Sequence, residues 1–418
     1  MKFSELDGAR VVLWGLGRET AAFTAQLERR LPSARITAVI DDSTPPAQVR
    51  ADLQAAEVLV RSPGVSIYKP LIQEALADHK TVTTATGLWL AERQGRHVIG
   101  VTGTKGKSTT ATVIAHLISP LVRTELAGNI GRPVIDLLDF DPAGWVVLEL
   151  SSYQIADLPV GPEVAVLTNL SREHTDWHRS EQRYRADKLR IFDLPGVRVG
   201  VRPPDGSDSW YVDGAGAVCH AQERVLAAGQ IPLRGRHNAQ NVATALAAIE
   251  AAGLARPHLP EGLAGLQPLP HRLQTVHIEV DGLEWVDDSI STTPESTIAA
   301  IEAFPGRSLV LIAGGQDRRQ DHSRLAAVLA ARVEPTRLVS LPDTGARIVA
   351  AAGARGFAQD RMLAAGGLRE AVELARRVAD PGAVVLLSPA APSFNAYRDF
   401  EQRGEHFASL ARGVALPE

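Results

Sequence analysis

The sequence has a single cysteine, Cys219, in 418 residues, which excludes an internal disulfide and any zinc site built on several thiolates. A lone thiol of this kind is expected to be buried and inert. Aromatic residues make up only 5%, and no apolar run approaches the roughly 18 residues that a membrane helix needs. The opening MKFSELDGAR lacks the apolar core and cleavage site of a signal peptide, so a cytoplasmic protein is expected. A formal net charge of −4 provides no general attraction to nucleic acid or to an anionic membrane. Lysine is scarce as well: Lys2, Lys69, Lys80, Lys105, Lys107 and Lys188 are six among 44 basic residues. Arginine is the default cation, and each retained lysine therefore asks for a reason.

What is present is an ordinary soluble composition, 45% hydrophobic and 22% charged. The length suits two to four domains at roughly 100–200 residues each. Short Val/Ile/Leu runs recur, most followed by turn residues and a helical pattern, as in α/β domains with buried parallel strands. RVVLWGLG, RITAVIDD and EVLVRSPG, with a helical stretch over 19–30, make a first small doubly wound domain. A second series comprises RHVIG (96–100), WVVLELSS (145–152), VAVLTNLS (164–171) and RVGVR (198–202), followed by an alanine-rich helix over 238–252. GLQPLPHR (265–272) reads as a linker. The third series has SLVLIAGG (308–315), RLVSLP (337–342) and AVVLLSP (383–389), alternating with helices near 295–304, 322–333, 345–355 and 367–379. The expected architecture is three α/β domains over 1–93, 94–268 and 269–418.

HVIGVTGTKGKSTTATVIAHLI (97–118) is an apolar strand, a Gly-rich turn and a helix. In that arrangement exposed amides and the positive helix end converge on an anion. The strict Walker spacing is not met, because Val101 stands at its first glycine. The loop is the shorter Gly103-Thr104-Lys105-Gly106-Lys107-Ser108, leading into Thr109. Lys107 is placed to meet β- and γ-phosphates, and the Ser108 hydroxyl to bind Mg²⁺. A magnesium nucleotide needs further hard oxygen ligands, and Glu149, a carboxylate ending an apolar strand, is expected to be buried beside a cation. The next strand ends in NLSREHTDWH, which brings His174 and Asp176 to the same sheet edge. Lys188 stands among Arg183, Arg185 and Arg190, in a segment that otherwise accepts arginine.

Ten segments in order carry a resemblance over nearly the whole chain. They are RSPGV (61–65), GTKGKST (103–109), AGNIGRP (127–133), LELSSYQ (148–154), REHTDWH with YRADKLRIF, RGRHNAQN (234–241), LPHR (269–272), DDS (287–289), GGQD (314–317) and SPAAPSFNAYRDFEQRG (388–404). Together they resemble the Mur ligases, the ATP-dependent amino-acid ligases of peptidoglycan precursor synthesis, and among them the members that add glutamate to UDP-MurNAc-L-alanine. The resemblance implies an N-terminal Rossmann-like UDP-binding domain, a central ATP-binding domain and a C-terminal Rossmann-like domain that takes the amino acid. It implies ATP, two Mg²⁺ sites and a carbamylated Lys188 that holds the second metal with His174. A guanidinium stays protonated and cannot take up CO₂, which accounts for lysine at this position. Glu149 would ligate magnesium, and Asn129 would face the acceptor. Asn238 and Asn241 would meet the adenine, Arg272 the phosphates and Asp288 the ribose. Gly15, Gly17, Asp41, Asp42, Ser62, Pro63 and Gly64 match the UDP contacts, although Arg18 and Glu19 are unusual there. A cytoplasmic monomer acting on small molecules is expected.

The amino acid rests on two departures from the pattern of the D-glutamate-adding members. Ile290 and Arg318 stand where those carry lysines, whereas Thr292, Ser393 and Phe400 still match the amino-acid pocket. Arginine at 318 fits the chain's general preference; isoleucine at 290 does not. Loss of a cation there implies that the two carboxylates of glutamate are held differently, with Arg318 as a bidentate clamp. L-glutamate is favoured over D-glutamate, which in turn implies a functional link to an epimerase acting on the product. The alternatives are a folylpolyglutamate synthase-like ligase, the Mur-ligase-like subunit of an amidotransferase, which the single cysteine disfavours, and a nucleotide-binding regulatory protein without transfer activity.

Overall fold

The computed structural model describes residues 1–171, 175–203 and 210–414, and the chain forms two compact units, 1–231 with 238–266, and 232–237 with 267–418. The first unit contains two parallel sheets. Strands β1 (Arg10–Trp14), β2 (Arg35–Ile40), β3 (Val58–Arg61) and β4 (Thr81–Thr83) lie in the order β2-β1-β3-β4. The second sheet consists of β5 (Val98–Thr102), β6 (Thr124–Gly128), β7 (Trp145–Glu149), β8 (Val164–Leu167) and β9 (Val199–Val201), in the order β6-β7-β5-β8-β9. Every residue of β5, β7 and β8 is buried, because helices cover both faces of a parallel sheet; the strands therefore read as unbroken apolar runs. The edge strand β2 alternates instead.

Strand order reverses at β5, and the crevice beyond the carboxyl ends of β7, β5 and β8 is where open α/β sheets bind ligands. The two layers of this unit share one apolar core. Val11, Leu13, Phe23 and Leu27 of the first pack in one cluster with Leu88, Leu90, Ile135, Leu137 and Leu148. The helix Ala85–Arg93 is buried from Ala85 through Ala91, as a helix sandwiched between layers must be.

The antiparallel sheet β10 (Trp210–Val212), β11 (Val218–His220) and β12 (Glu223–Leu226) is not anticipated by the sequence, since three or four residues are too few to establish a period. Cys219 lies in β11 and is buried, as expected.

The second unit is built on one sheet, in the order β13-β14-β18-β15-β16-β17. Its strands are β13 (Gln274–Ile278), β14 (Glu284–Asp287), β15 (Leu309–Gly315), β16 (Thr336–Asp343), β17 (Met362–Ala364) and β18 (Val384–Leu387). All neighbours are parallel except the β13–β14 pair. The four expected helices occur at Pro294–Glu302, Ser323–Ala331, Thr344–Ala354 and Leu368–Val378. A fifth, Phe400–Ala411, is capped by the Asp399 carboxylate, which accepts from the Gln402 amide at 2.8 Å. The α/β class with parallel sheets agrees with expectation. No helix among the described residues is long and apolar enough to cross a membrane.

Candidate active site

The phosphate loop is held by its neighbours. Gly106 has φ +78°, and a Cβ there would run into Asn241 Oδ1, so this position requires glycine on both conformational and steric grounds. The Thr104 amide donates to Asn169 O at 3.0 Å, and the Lys105 amide to Asn169 Oδ1 at 2.8 Å. Lys107 folds back so that Nζ donates to Thr104 O at 3.1 Å. Asn241 and Asn238, bonded to each other at 2.9 Å, are buried behind the loop.

Glu149, at the end of β7, is 1% exposed. Its Oε1 accepts from Asn129 Nδ2 at 3.0 Å, whereas Oε2 is buried with no hydrogen-bond partner among the described residues. The hydroxyl of Thr109 is buried and unpartnered in the same sense. Lys188 is 2% exposed, and its Nζ donates to Gly103 O at 2.8 Å. A cleft of about 340 Å³ brings Ser62, Pro63, Gly64, Asn129, Lys107 and Lys188 together, with Arg18, Glu19, Thr86 and Gln154 also in its wall.

On the acceptor side, Gly15 has φ +85°, and a Cβ there would stand 2.8 Å from Val65 Cγ2 and 3.1 Å from Ser62 Cβ. The first turn and the 62–65 turn can approach only because this residue is glycine. Gly17 is close to Ser62 Oγ. Asp41 is held below the usual carboxylate range by hydrogen bonds from the Ser43 hydroxyl and amide. Asp42 is exposed and pairs with Lys69 at 3.0 Å. Gly15, Gly17, Asp41 and Asp42 thus lie at the sheet end but not in the wall of the cleft.

In the second unit Asp288 is buried. It accepts from Ser388 Oγ at 2.7 Å and from the Leu273 amide at 3.3 Å, and burial pushes its carboxyl up to about 6. Burial, and secondarily the Arg272 charge, push His237 down to about 4. Thr292 lies near the loop that carries Arg318. The Gln320 amide, turned so that its nitrogen faces them, donates to Thr292 O at 3.3 Å and to Ala390 O at 3.1 Å. Arg318 is exposed over the Phe394 ring at 6.0 Å. Ser393 is buried, and Phe400 O accepts from Ser289 Oγ at 2.8 Å. His174 lies outside the described residues.

Residues 101–201 match the model of the Mur ligase middle domain, and 271–391 that of the Mur ligase, glutamate ligase domain. The chain is 38% identical to a UDP-N-acetylmuramoyl-L-alanine--L-glutamate ligase of Xanthomonas euvesicatoria pv. vesicatoria, over 98% of this chain and 97% of the relative. A protein of the same name from Salinispora tropica is also 38% identical, over 99% and 100%. The chain belongs to the Mur ligase family. Its fold is that of the solved MurF ligase of Thermotoga maritima in complex with ADP, with a TM-score of 0.59 at 17% identity, covering 99% of this chain and 97% of that one.

In this Mur ligase the Oε2 of Glu149, with the hydroxyls of Ser108 and Thr109 in the first turn of the helix Lys107–Ile118, offers donors suited to a hard cation, which takes oxygen ligands. No group of three His, Cys, Asp or Glu residues among the described ones forms a separate metal site. The geometry also identifies residues that reading the sequence missed. Arg61 is fully buried and donates to both Asp157 oxygens, at 2.6 and 2.7 Å, and to the carbonyls of Val65 (2.9 Å) and Tyr153 (2.8 Å). With the carbonyls of the RSPGV turn drawn toward this guanidinium, the turn's shape is set from behind. Glu19 accepts from the Thr86 amide and hydroxyl at 2.8 Å and from Gln154 Nε2 at 3.1 Å, and burial raises its carboxyl. The signal for Arg61 was a charge ending an otherwise apolar strand; for Glu19 it was the departure already noted beside Gly17.

Proposed function

We propose that this Mur ligase adds L-glutamate to UDP-MurNAc-L-alanine, using ATP and releasing ADP and phosphate. The observation that carries the reading is the single cleft in which the 62–64 turn, Asn129, Lys107 and Lys188 meet. The relatives bearing that activity in their names support the choice of substrates. In the reaction the acceptor carboxylate takes the γ-phosphoryl group, the glutamate amine attacks the acyl phosphate, and collapse of the tetrahedral adduct forms the amide and expels phosphate. Lys107 would leave Thr104 O to neutralise charge on the transferred group. Asn129, fixed by Glu149, would orient the acceptor carboxylate. Water would have to be kept from the occupied cleft, since it would otherwise hydrolyse the acyl phosphate.

Glu149, Ser108, His174 and carbamylated Lys188 would hold two Mg²⁺ ions, which when bound supply charge neutralisation to the phosphoryl group. Asn238 and Asn241 would meet the adenine. Thr292, Ser393, Phe400 and Arg318 would form the glutamate site, and Ile290 in place of a lysine is what favours the L-enantiomer. Three functional domains with boundaries near 93 and 268, a cytoplasmic monomer, and an epimerase acting on the product complete the proposal. The test is phosphate release with UDP-MurNAc-L-alanine and each glutamate enantiomer. A kcat/KM at least tenfold higher for L-glutamate is expected, about 1.4 kcal/mol of transition-state preference; the same margin for D-glutamate would refute it.

A further inference from the structure

The helix Glu181–Leu189 carries Lys188, and it is gripped from two sides. Facing the phosphate loop, Lys188 Nζ donates to Gly103 O at 2.8 Å, and Tyr184 Oη is 2.8 Å from Thr104 Oγ1. Positions 184 and 188 are four apart and so share a helix face. Asp187 lies about 100° around the helix and points elsewhere. Tyr68 Oη donates to its two oxygens, at 2.7 Å each, and His178 Nδ1 lies 2.6 Å from Oδ2. His178 is fully buried, and its Nε2 is 2.9 Å from Ser152 Oγ in the wall of the cleft. His178 thus links Asp187 at one ring nitrogen to Ser152 at the other.

Tyr68 ends the same turn that holds Ser62, Pro63 and Gly64. That turn is strapped to the short helix Thr175–His178: Trp177 Nε1 donates to the carbonyls of Pro63 (3.2 Å) and Gly64 (3.1 Å), and Ser66 Oγ to Trp177 O at 2.8 Å. Arg179 donates to Tyr68 O.

We propose that Asp187 is a positioning residue that couples the acceptor turn 62–68 to Lys188, so that acceptor binding sets the helix that presents Lys188 to the phosphate loop. The coupling rests on the functional reading above. Its physical basis is one rigid helix with hydrogen-bonded anchors on two faces, so that rotation favoured at one face must move the other. Nothing in this role needs Asp187 to touch substrate.

The experiment compares the unaltered protein with Tyr68→Phe, which keeps the ring and removes one hydroxyl. Amide hydrogen exchange is followed in 62–68 and in Glu181–Leu189, with and without UDP-MurNAc-L-alanine, beside steady-state kinetics. In the unaltered protein the acceptor should protect both segments. In Tyr68→Phe the turn should still be protected while the helix loses its added protection. The kcat should fall about tenfold, the cost of a reacting group slightly misplaced, with acceptor KM unchanged and half-saturating Mg²⁺ raised. Equal helix protection in both proteins, or an unchanged kcat with only a lower Tm, would overturn the coupling. If Tyr68→Phe does not fold, Asp187→Asn is read by the same criteria. Absence of protection anywhere in the unaltered protein would sink the acceptor assignment and the coupling together; protection of the turn without any response of the helix would sink the coupling alone.

Discussion

Each of the two units buries a carboxylate and a cation near the end of its sheet, and the two carboxylates are treated in opposite ways. In the second unit Asp288 is held by Ser388 and the Leu273 amide. Arg403, 1% exposed, donates to Ser289 Oγ at 3.0 Å, to Ser289 O at 2.8 Å and to Ala391 O at 3.1 Å. Burial alone lowers that guanidinium to about 10. These groups join β14, the 389–393 turn and the last helix, and their bonding capacity is taken up within the fold. In the first unit Glu149, equally buried, keeps one oxygen without a hydrogen-bond partner among the described residues, and Lys188 donates to a backbone carbonyl of the phosphate loop. Burying a charge costs free energy unless it is paired. A site that leaves a buried carboxylate oxygen open in the protein alone is prepared for something added later, whereas one that closes its bonds within the fold is framework.

The comparison can be broken most decisively at Lys188. Lys188→Ala should reduce ligation on the order of 10³-fold, the scale of losing an electrostatic group at the reacting centre, with partial rescue by acetate, while Lys188→Arg stays inactive in a phosphate-release assay. Full activity of the arginine variant would show that a cation suffices and would place Lys188 with Arg403. Glu149→Gln sharpens the contrast next. Activity should drop by at least the roughly 10²-fold that even an outer metal-site partner can cost, while the metal-free protein is no less stable. Mg²⁺ with ADP should raise the Tm of the unaltered protein and not that of the variant, as scanning calorimetry can check. If the unaltered protein gains nothing from Mg²⁺, the bare oxygen is no metal site.

Asp288 gives a prediction of the opposite kind. Its folded pKa, about 6, lies above the unfolded value of 3.8, so the folded state binds more protons between these values and stability declines as pH rises through that window. Below about pH 4 the group costs nothing. By pH 7 the penalty approaches 3 kcal/mol at ~1.4 kcal/mol per unit. Asp288→Asn, whose amide N–H can donate to the Ser388 hydroxyl oxygen, should therefore unfold at higher denaturant than the unaltered protein at pH 7 and at the same concentration at pH 4. The smallest effect is expected at the exposed UDP edge. Changing Asp42 or Ser62 should raise the acceptor KM several-fold and leave the ATP KM alone, as for contacts equal in ground and transition states; equal changes in both would indicate misfolding instead.

How far this was legible in the sequence follows from the range of the interactions. Strands β5, β7 and β8 were readable because burial on both faces writes an unbroken apolar run, and the phosphate loop because its chemistry is contiguous. The cleft was legible only through resemblance, since its residues come from separate segments scattered between Arg18 and Lys188. The network of Tyr68, Ser152, His178 and Asp187 was not legible: each residue taken alone is an ordinary polar side chain, and only the packing of the two layers joins them. The short strands β10 to β12, the edge strand β13 and the helix Phe400–Ala411 were missed for a local reason. Short or half-exposed segments lack a period, and the prolines and polar residues of 388–399 hide the helix that follows.

The Trp177 indole is stacked on the Tyr153 ring at 4.5 Å and 15°, lies 4.5 Å from the His178 ring, and is hydrogen-bonded to the carbonyls of Pro63 and Gly64. Indole emission responds to the polarity and to the hydrogen bonds of its surroundings, so this side chain is a built-in optical gauge of the turn it rests against. Trp89 and Trp285, sealed in apolar cores, supply a constant part of the background from the other five tryptophans. Occupancy of the acceptor turn can therefore be titrated by intrinsic fluorescence, without label, nucleotide or turnover.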